Sequence, residues 1–98
     1  MIIRIVRMTF QEEKVEEFLE LFDTYKSAIR HQPGCLHLEL LVDHHQSNVF
    51  STYSHWDNEN SLNAYRDSDT FGKVWPATKK LFADKPTAHS YQLKMTIE

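Results

Sequence analysis

The chain has 98 residues, of which 41% are hydrophobic, and it carries a formal net charge of −3. This length suits one domain around a single core, and the negative charge disfavours a nucleic-acid binder, which needs a basic surface. No apolar run approaches the ~20 residues of a membrane span, and the N-terminus starts directly as a strand instead of a signal peptide, so we expect a cytoplasmic protein without membrane contacts.

The N-terminal third is predicted to form a strand followed by a long helix. Residues 2–10 alternate with period two, and one face combines Arg4 with the apolar side chains of Ile2, Val6, Met8 and Phe10. Residues 11–30 change to helical spacing, with an apolar stripe made of Val15, Phe18, Leu19, Phe22, Tyr25 and Ile29. Pro33 and Gly34 then end the helix.

Residues 35–42 and 48–56 are predicted to form two strands joined by the polar loop 43–47. Strict alternation places Leu36, Leu38, Leu40 and Val42 on one face, and Cys35, His37, Glu39 and Leu41 on the other. Cys35 is the only cysteine, which excludes an internal disulfide, and we expect it to be a packing residue. Asp57 or Asn58 caps a second helix, whose inner face is Leu62 and Tyr65.

Helical spacing resumes from residue 71 to residue 82, but Gly72 and Pro76 lie within it. A proline inside a regular helix costs about 3 kcal/mol, so we expect a break near Trp75-Pro76. Residues 87 to about 95 form the last strand. The order βαββαβ predicts an α+β, ferredoxin-like fold with a four-stranded antiparallel sheet. Helices cover one sheet face only, and an exposed half-apolar face predicts homodimerisation.

A spaced pattern runs from Trp56 to Phe71 and reads W-x5-L-x-A-Y-x2-S-x2-F. Together with the strands and helices on either side, it resembles the antibiotic-biosynthesis monooxygenase family over nearly the whole chain, so residues 1–98 are read as one such domain. The resemblance implies a homodimer that closes into an α/β barrel. It also implies oxidation of electron-rich aromatics, such as quinols or anthrones, with O₂ and without a cofactor.

The resemblance and the strand register together give the candidate site. We expect catalytic roles for Arg4, Trp56 and Tyr65. The expected substrate-binding residues are Val6, Met8, Asn58, Phe71 and Trp75. Arg4 shares a strand face with Val6 and Met8; it either enters the pocket to meet an anionic substrate, or it pairs with a carboxylate such as Glu39 or reaches solvent.

The chain departs from the family pattern at two positions. Many members have His where this chain has Tyr65, and often another where it has Thr70, so no base with a pKa near neutrality is provided there. The family's haem-degrading branch aligns its Asn, Trp and iron-binding His with Val6, Tyr65 and Trp75. Trp75 does not ligate iron, so we expect no haem chemistry.

The histidines on the strands and the broken second helix each allow more than one interpretation. His37, Glu39, His55 and His89 lie on strands and resemble a metal set, but we expect a structural hydrogen-bond network and no metal. The broken second helix would open to admit a flat ligand, which predicts faster amide exchange from Thr70 to Phe82 than in the first helix. The alternative to a monooxygenase is a non-catalytic dimeric barrel that binds a small ligand or serves in stress or regulation.

Overall fold

The computed structural model describes residues 1–98 and contains four strands and three α-helices. The elements are β1 (Ile2–Thr9), a 3₁₀ turn (Glu12–Lys14), α1 (Val15–Arg30), β2 (Cys35–Val42), β3 (Val49–Trp56), α2 (Glu59–Arg66), α3 (Asp69–Lys79) and β4 (Thr87–Tyr91). The strands form one antiparallel sheet in the order β2-β3-β1-β4. The predicted ferredoxin-like βαββαβ fold is thereby confirmed. None of the helices is long and apolar enough to cross a membrane.

The core lies between the sheet and the helices in two clusters of buried side chains. The larger contains Met8, Phe10, Phe18, Phe50 and Leu81. The smaller contains Cys35, Trp56 and Leu62. Every second side chain of β1 and β3 points into this core. The alternation of apolar residues in the sequence of β1 therefore predicts its buried face correctly.

Strict alternation fails at the start of β2. Cys35 pairs with Trp56 and His37 pairs with His55, so Leu36 is an extra residue in the ladder. This β-bulge turns Cys35 toward the helices, where it is buried, and leaves Leu36 49% exposed. The prediction that Leu36 shares the inner face and Cys35 the outer one is therefore wrong. The prediction that Cys35 packs in the core agrees with its position.

The second helical region is broken, but not where the proline is. The chain leaves α2 at Asp67, and the Ser68 hydroxyl both donates to the Tyr65 carbonyl, at 2.6 Å, and accepts from the Phe71 N–H, at 3.2 Å. One side chain thus ends α2 and caps α3. Helix α3 continues through Pro76 to Lys79, since Val74 and Thr78 anchor it in the core.

The last strand is shorter than expected. It ends at Tyr91 instead of near residue 95 because Tyr91 already pairs with Ile3, and β1 begins one residue earlier. Residues 92–98 therefore have no strand beside them within the chain, and they adopt no regular secondary structure. Their apolar side chains are exposed: Leu93 by 59%, Met95 by 67% and Ile97 by 85%.

Candidate functional site

A partly enclosed cavity of about 140 Å³ lies between the inner sheet face and the helices. Of its 19 lining residues, 14 are hydrophobic, so a ligand held there would be mainly apolar. The structure brings seven of the predicted site residues to this cavity: Arg4, Val6, Met8, Trp56, Tyr65, Phe71 and Trp75. Asn58 does not line it, because its side chain accepts from the Ser61 N–H and caps α2.

Aromatic rings form one wall of the cavity. Trp56 stacks on Tyr65 with centroids 5.2 Å apart, Tyr65 meets Phe71 edge-on at 5.2 Å, and Phe71 stacks on Trp75 at 5.8 Å. The Trp56 Nε1–H donates to the Ser54 hydroxyl at 3.0 Å, which fixes the orientation of a ring that is only 1% exposed. A flat ligand would find ready-made faces and edges for aromatic contact here.

Tyr65 presents its hydroxyl without a partner in the chain. Its backbone carbonyl accepts from Ser68, but no side chain or backbone group binds the phenol oxygen. Burial raises the pKa of Tyr65 to about 12, so the phenol is neutral at pH 7 and carries a proton to donate. The group is therefore a hydrogen-bond donor, whereas the His of many family members could serve as a base.

Two arginines lie along the same cavity. Arg4 comes from β1 and Arg66 from the last residue of α2. Arg4 donates to the Ser90 hydroxyl at 3.0 Å, whereas the Glu39 carboxylate lies on the opposite sheet face, 3.1 Å from the His37 Nε2. Of the alternatives for Arg4, pairing with Glu39 is therefore excluded, and the side chain lines the cavity.

Sequence reasoning gave no role to Arg66. A cation in the last turn of a helix ordinarily offsets the helix dipole and faces solvent, so its position carries no signal of a pocket. Arg66 reaches the cavity because it follows Tyr65 directly at the end of α2, a short helix that packs on the sheet. No motif in the chain marks that contact.

The ionisable residues of the lining determine which acid–base chemistry the cavity can support. Arg4, Tyr65 and Arg66 are its ionisable residues, and no His, Asp, Glu, Lys or Cys lines it. The cavity therefore has two cations and one neutral proton donor but no general base. Such a site can stabilise an anion but cannot generate one by accepting its proton.

Haem does not fit this cavity. Haem iron is held by His, Cys, Met or Tyr, and of these the lining has only Met8 and Tyr65. The volume of about 140 Å³ is close to that of an apolar cavity that holds a single benzene ring, about 150 Å³. A macrocycle of four pyrrole rings would require the helices to separate from the sheet.

The outer sheet face does not join His37, Glu39, His55 and His89 in the expected hydrogen-bond network, because the buried His55 Nε2 has no partner. His37 lies 3.1 Å from Glu39, and its ring centroid is 5.0 Å from that of His55. His89, however, pairs with Ile5 on the far side of β1. No group of three or more His, Cys, Asp or Glu is arranged to hold a metal ion.

The fold and the cavity define a ferredoxin-like domain with an apolar pocket between its sheet and helices. A sequence model of the family described as antibiotic biosynthesis monooxygenase matches residues 1–75. The chain belongs to that family.

Solved structures share this fold at low sequence identity. An antibiotic biosynthesis monooxygenase superposes with a TM-score of 0.90 at 19% identity, covering 95% of this chain and 98% of the other. A conserved protein from Methanosarcina mazei Go1 superposes with a TM-score of 0.89 at 22% identity, covering 95% and 93%. Among curated proteins, a "Putative heme-binding protein" from Haloarcula marismortui is 30% identical over 78 residues, which are 80% of this chain but 12% of that protein.

Proposed function

We propose that the chain is a cofactor-independent monooxygenase that oxidises a small electron-rich aromatic of the quinol type with O₂. The observation that carries the proposal is the composition of the cavity: it is lined by an aromatic wall, which includes the unbonded Tyr65 phenol, and by two arginines, within a chain of the monooxygenase family. An apolar site that excludes water strengthens the interaction of these groups with charge that develops on the substrate.

The size of the cavity favours a substrate with one ring. Its volume of about 140 Å³ matches a cavity that accommodates benzene, so a monocyclic quinol fits without rearrangement. An anthrone, with three fused rings, requires α2 and α3 to move away from the sheet. We therefore place single-ring quinols ahead of anthrones as substrates.

The proposed reaction starts from the anion of the substrate. Arg4 and Arg66 lower the pKa of a bound quinol by favouring its phenolate, and solvent at the cavity mouth takes the proton, since the lining has no base. The electron-rich ring carbon then forms a bond to O₂, and protonation gives a hydroperoxide. Loss of the ring hydrogen and cleavage of the O–O bond leave one oxygen atom in the product as a carbonyl and release the other as water.

We propose that Tyr65 assists by donating a hydrogen bond. Its neutral phenol, with a pKa raised to about 12 by burial, can stabilise either the phenolate oxygen or the oxygen that comes from O₂. Trp56 holds the Tyr65 ring by stacking, and Val6, Met8, Phe71 and Trp75 form the apolar walls. Asn58 has no place in this mechanism.

We also propose that the chain acts as a homodimer. Large apolar side chains are exposed at both edges of the sheet, namely Leu36, Leu41 and Val42 on β2 and Tyr91, Leu93, Met95 and Ile97 at the C-terminus. Both edges belong to strands that lack one neighbour. A second copy that adds its C-terminal segment to the β2 edge would cover both groups by symmetry.

A second candidate function is supported by the missing base. If no quinol is deprotonated in the cavity, the same aromatic wall and cations make a binding site for a small aromatic ligand without turnover. The chain would then be a non-catalytic dimeric barrel that binds a ligand or has a role in stress or regulation. The two candidates differ in whether an oxygen atom from O₂ reaches the ligand.

Incorporation of ¹⁸O₂ tests the choice between them. Metal-free protein is incubated with single-ring quinols and anthrones, and the products are analysed by mass spectrometry against protein-free autoxidation. We expect label in a quinol product, reduced at least tenfold in Tyr65→Phe by loss of one donor. Tyr53→Phe is the matched control, because Tyr53 lies on the outer sheet face near His55. Label at the autoxidation level for every compound would favour the binding function.

A further inference from the structure

We propose that the ligand carries an anionic group, and specifically that it is a single-ring hydroxylated aromatic carboxylate held by Arg4 and Arg66. Neither arginine has a carboxylate within 4.0 Å; the four ion pairs of the chain involve other residues. Their side-chain partners are neutral, the Ser90 hydroxyl at 3.0 Å for Arg4 and the Asn63 amide oxygen at 3.3 Å for Arg66.

The other two arginines of the chain are satisfied differently. Arg7 pairs with the Asp43 carboxylate at 3.4 Å, and Arg30 donates to the Cys35 backbone carbonyl at 2.9 Å. Neither of them lines the cavity. The two arginines without a charged or backbone acceptor are thus the two that meet at the cavity, in a chain whose net charge is −3.

Placing two cations together beside an apolar cavity is unfavourable without an anion. Burial and the nearby charge of Arg66 both lower the pKa of Arg4, which reflects the cost of charging Arg4 at this position. A carboxylate offers two oxygens that accept from guanidinium groups in a planar arrangement, and such charge-assisted bonds are about twice as strong as neutral ones. A bound carboxylate would therefore remove the repulsion and use donors that the chain leaves free.

The geometry also suggests how such a ligand would be oriented. The cavity holds about one ring, so the ring would lie against Trp56, Tyr65 and Trp75. Arg66 is exposed and Arg4 is partly buried, so the carboxylate would sit where the cavity meets solvent. A hydroxyl next to the carboxylate would stay near the two arginines, which favour its phenolate, and a hydroxyl across the ring would point inward. This inference rests on the proposed function only for the hydroxylated ring, since the carboxylate is argued from the arginines alone.

A comparison of two ligands that differ by one carboxylate tests this inference. Affinities for 2,5-dihydroxybenzoate and for hydroquinone are measured by isothermal titration calorimetry under argon with the intact chain. We expect 2,5-dihydroxybenzoate to bind at least about tenfold more tightly than hydroquinone. Its affinity should fall with added salt, while that of hydroquinone should not.

Substitutions of single arginines show which side chains cause the preference for 2,5-dihydroxybenzoate over hydroquinone. Arg66→Gln should reduce the preference for the carboxylate about tenfold, because loss of the guanidinium weakens binding of the charged ligand more than binding of hydroquinone. Because Arg66 is exposed, the variant should fold. Arg4→Lys keeps a charge but loses the planar fork, and it should lower the preference by a smaller factor. Arg7→Gln is the matched control on the same strand, outside the cavity, and should change neither affinity.

The outcomes separate this inference from the proposed function. Equal affinities for the two ligands, or a preference that survives Arg66→Gln and Arg4→Lys, would overturn the inference even if hydroquinone is oxygenated. Preferential, arginine-dependent binding of 2,5-dihydroxybenzoate would support it even if no compound takes up ¹⁸O. In that case the monooxygenase proposal fails and the carboxylate-binding site remains.

Discussion

Trp56 and Tyr65 stack with ring centroids 5.2 Å apart and an angle of 21° between their planes. The Trp56 ring is oriented by its hydrogen bond to the Ser54 hydroxyl, and Tyr65 is placed by its position in the last turn of α2. The stack therefore positions the Tyr65 phenol at the cavity while its hydroxyl stays unbonded in the chain. The same burial that orients this group also raises its pKa, which makes the stability of the protein sensitive to alkaline pH.

Tyr65→Phe should remove part of the alkaline destabilisation. The pKa of Tyr65 is about 12 in the folded chain and about 10 when exposed. Its contribution to the free energy of unfolding is fully present below pH 10 and is lost as the pH rises through 12. The loss amounts to roughly 2–3 kcal/mol. Urea unfolding at pH 8 and pH 11.5 should show a smaller decrease for Tyr65→Phe than for the unmodified chain.

All other ionisable groups are common to both proteins, so their effects on stability cancel in the difference. Tyr53→Phe serves as the control and should lose stability in parallel with the unmodified chain. A parallel loss in Tyr65→Phe would mean that the phenol is more accessible than its place in the stack implies.

The buried thiol of Cys35 should be unreactive in the folded chain. Cys35 lies in the cluster with Trp56 and Leu62 and is 7% exposed, and burial raises the pKa of its thiol. Only the thiolate reacts with Ellman's reagent, so we expect modification at least about tenfold slower in buffer at pH 8 than in 8 M urea. Rapid, complete modification without denaturant would contradict the bulge that turns this side chain inward.

The sequence predicts a strand or helix well where the spacing of its apolar residues matches the face that is buried. The alternation of β1 and the apolar stripe of α1 each follow from one covered face, so they required no knowledge of the neighbours. The same reasoning placed Arg4, Val6 and Met8 on the face that lines the cavity. The resemblance to the family, and not the periodicity, indicated Trp56, Tyr65 and Trp75 as further residues of the cavity.

What could not be predicted depends on single local hydrogen bonds or on tertiary position. The sequence at the start of β2 allows either Cys35 or Leu36 to face the helices. Only the pairing of β2 with β3, which makes Leu36 a bulge, selects Cys35. The break at Ser68 depends on one hydroxyl that bonds both helices, whereas Pro76 gave a stronger but misleading signal. Arg66 reaches the cavity because of how α2 is placed, which no spacing rule describes.

The two glycines should respond to alanine in opposite directions. Gly34 has φ of +84°, and a Cβ there would collide with the side chains of Ser61 and Asp57, so Gly34→Ala should lower the free energy of unfolding by at least about 1–3 kcal/mol. Gly72 lies in α3 with open space around it, so Gly72→Ala should raise that energy by about 0.5–1 kcal/mol. Thermal and urea unfolding measure both, and effects of equal sign would contradict the assigned backbone conformations.

Amide exchange should be faster in α3 than in α1. Helix α3 carries Pro76, which donates no backbone hydrogen bond, and Gly72, whereas α1 contains neither residue type. Hydrogen exchange followed by mass spectrometry should therefore show lower protection over residues 70–82 than over residues 15–30. Gly72→Ala should narrow the difference. Equal protection in the unmodified chain would argue against α3 as the segment that opens to admit a ligand.

Charges on the apolar side of the C-terminal segment should prevent dimerisation. Leu93 and Met95 are 59% and 67% exposed, and in the proposed dimer they cover the partner's β2 edge. We expect the double variant Leu93→Glu with Met95→Glu to be monomeric by analytical ultracentrifugation at concentrations where the unmodified chain is dimeric. In the proposed dimer this segment pairs as a strand, so Gln92 and Thr96 would point away from the face of Leu93 and Met95. Gln92→Glu with Thr96→Glu adds the same charge there and should remain dimeric. A monomer in the unmodified chain would refute the dimer, and an unchanged mass in the first variant would move the interface to the outer sheet face.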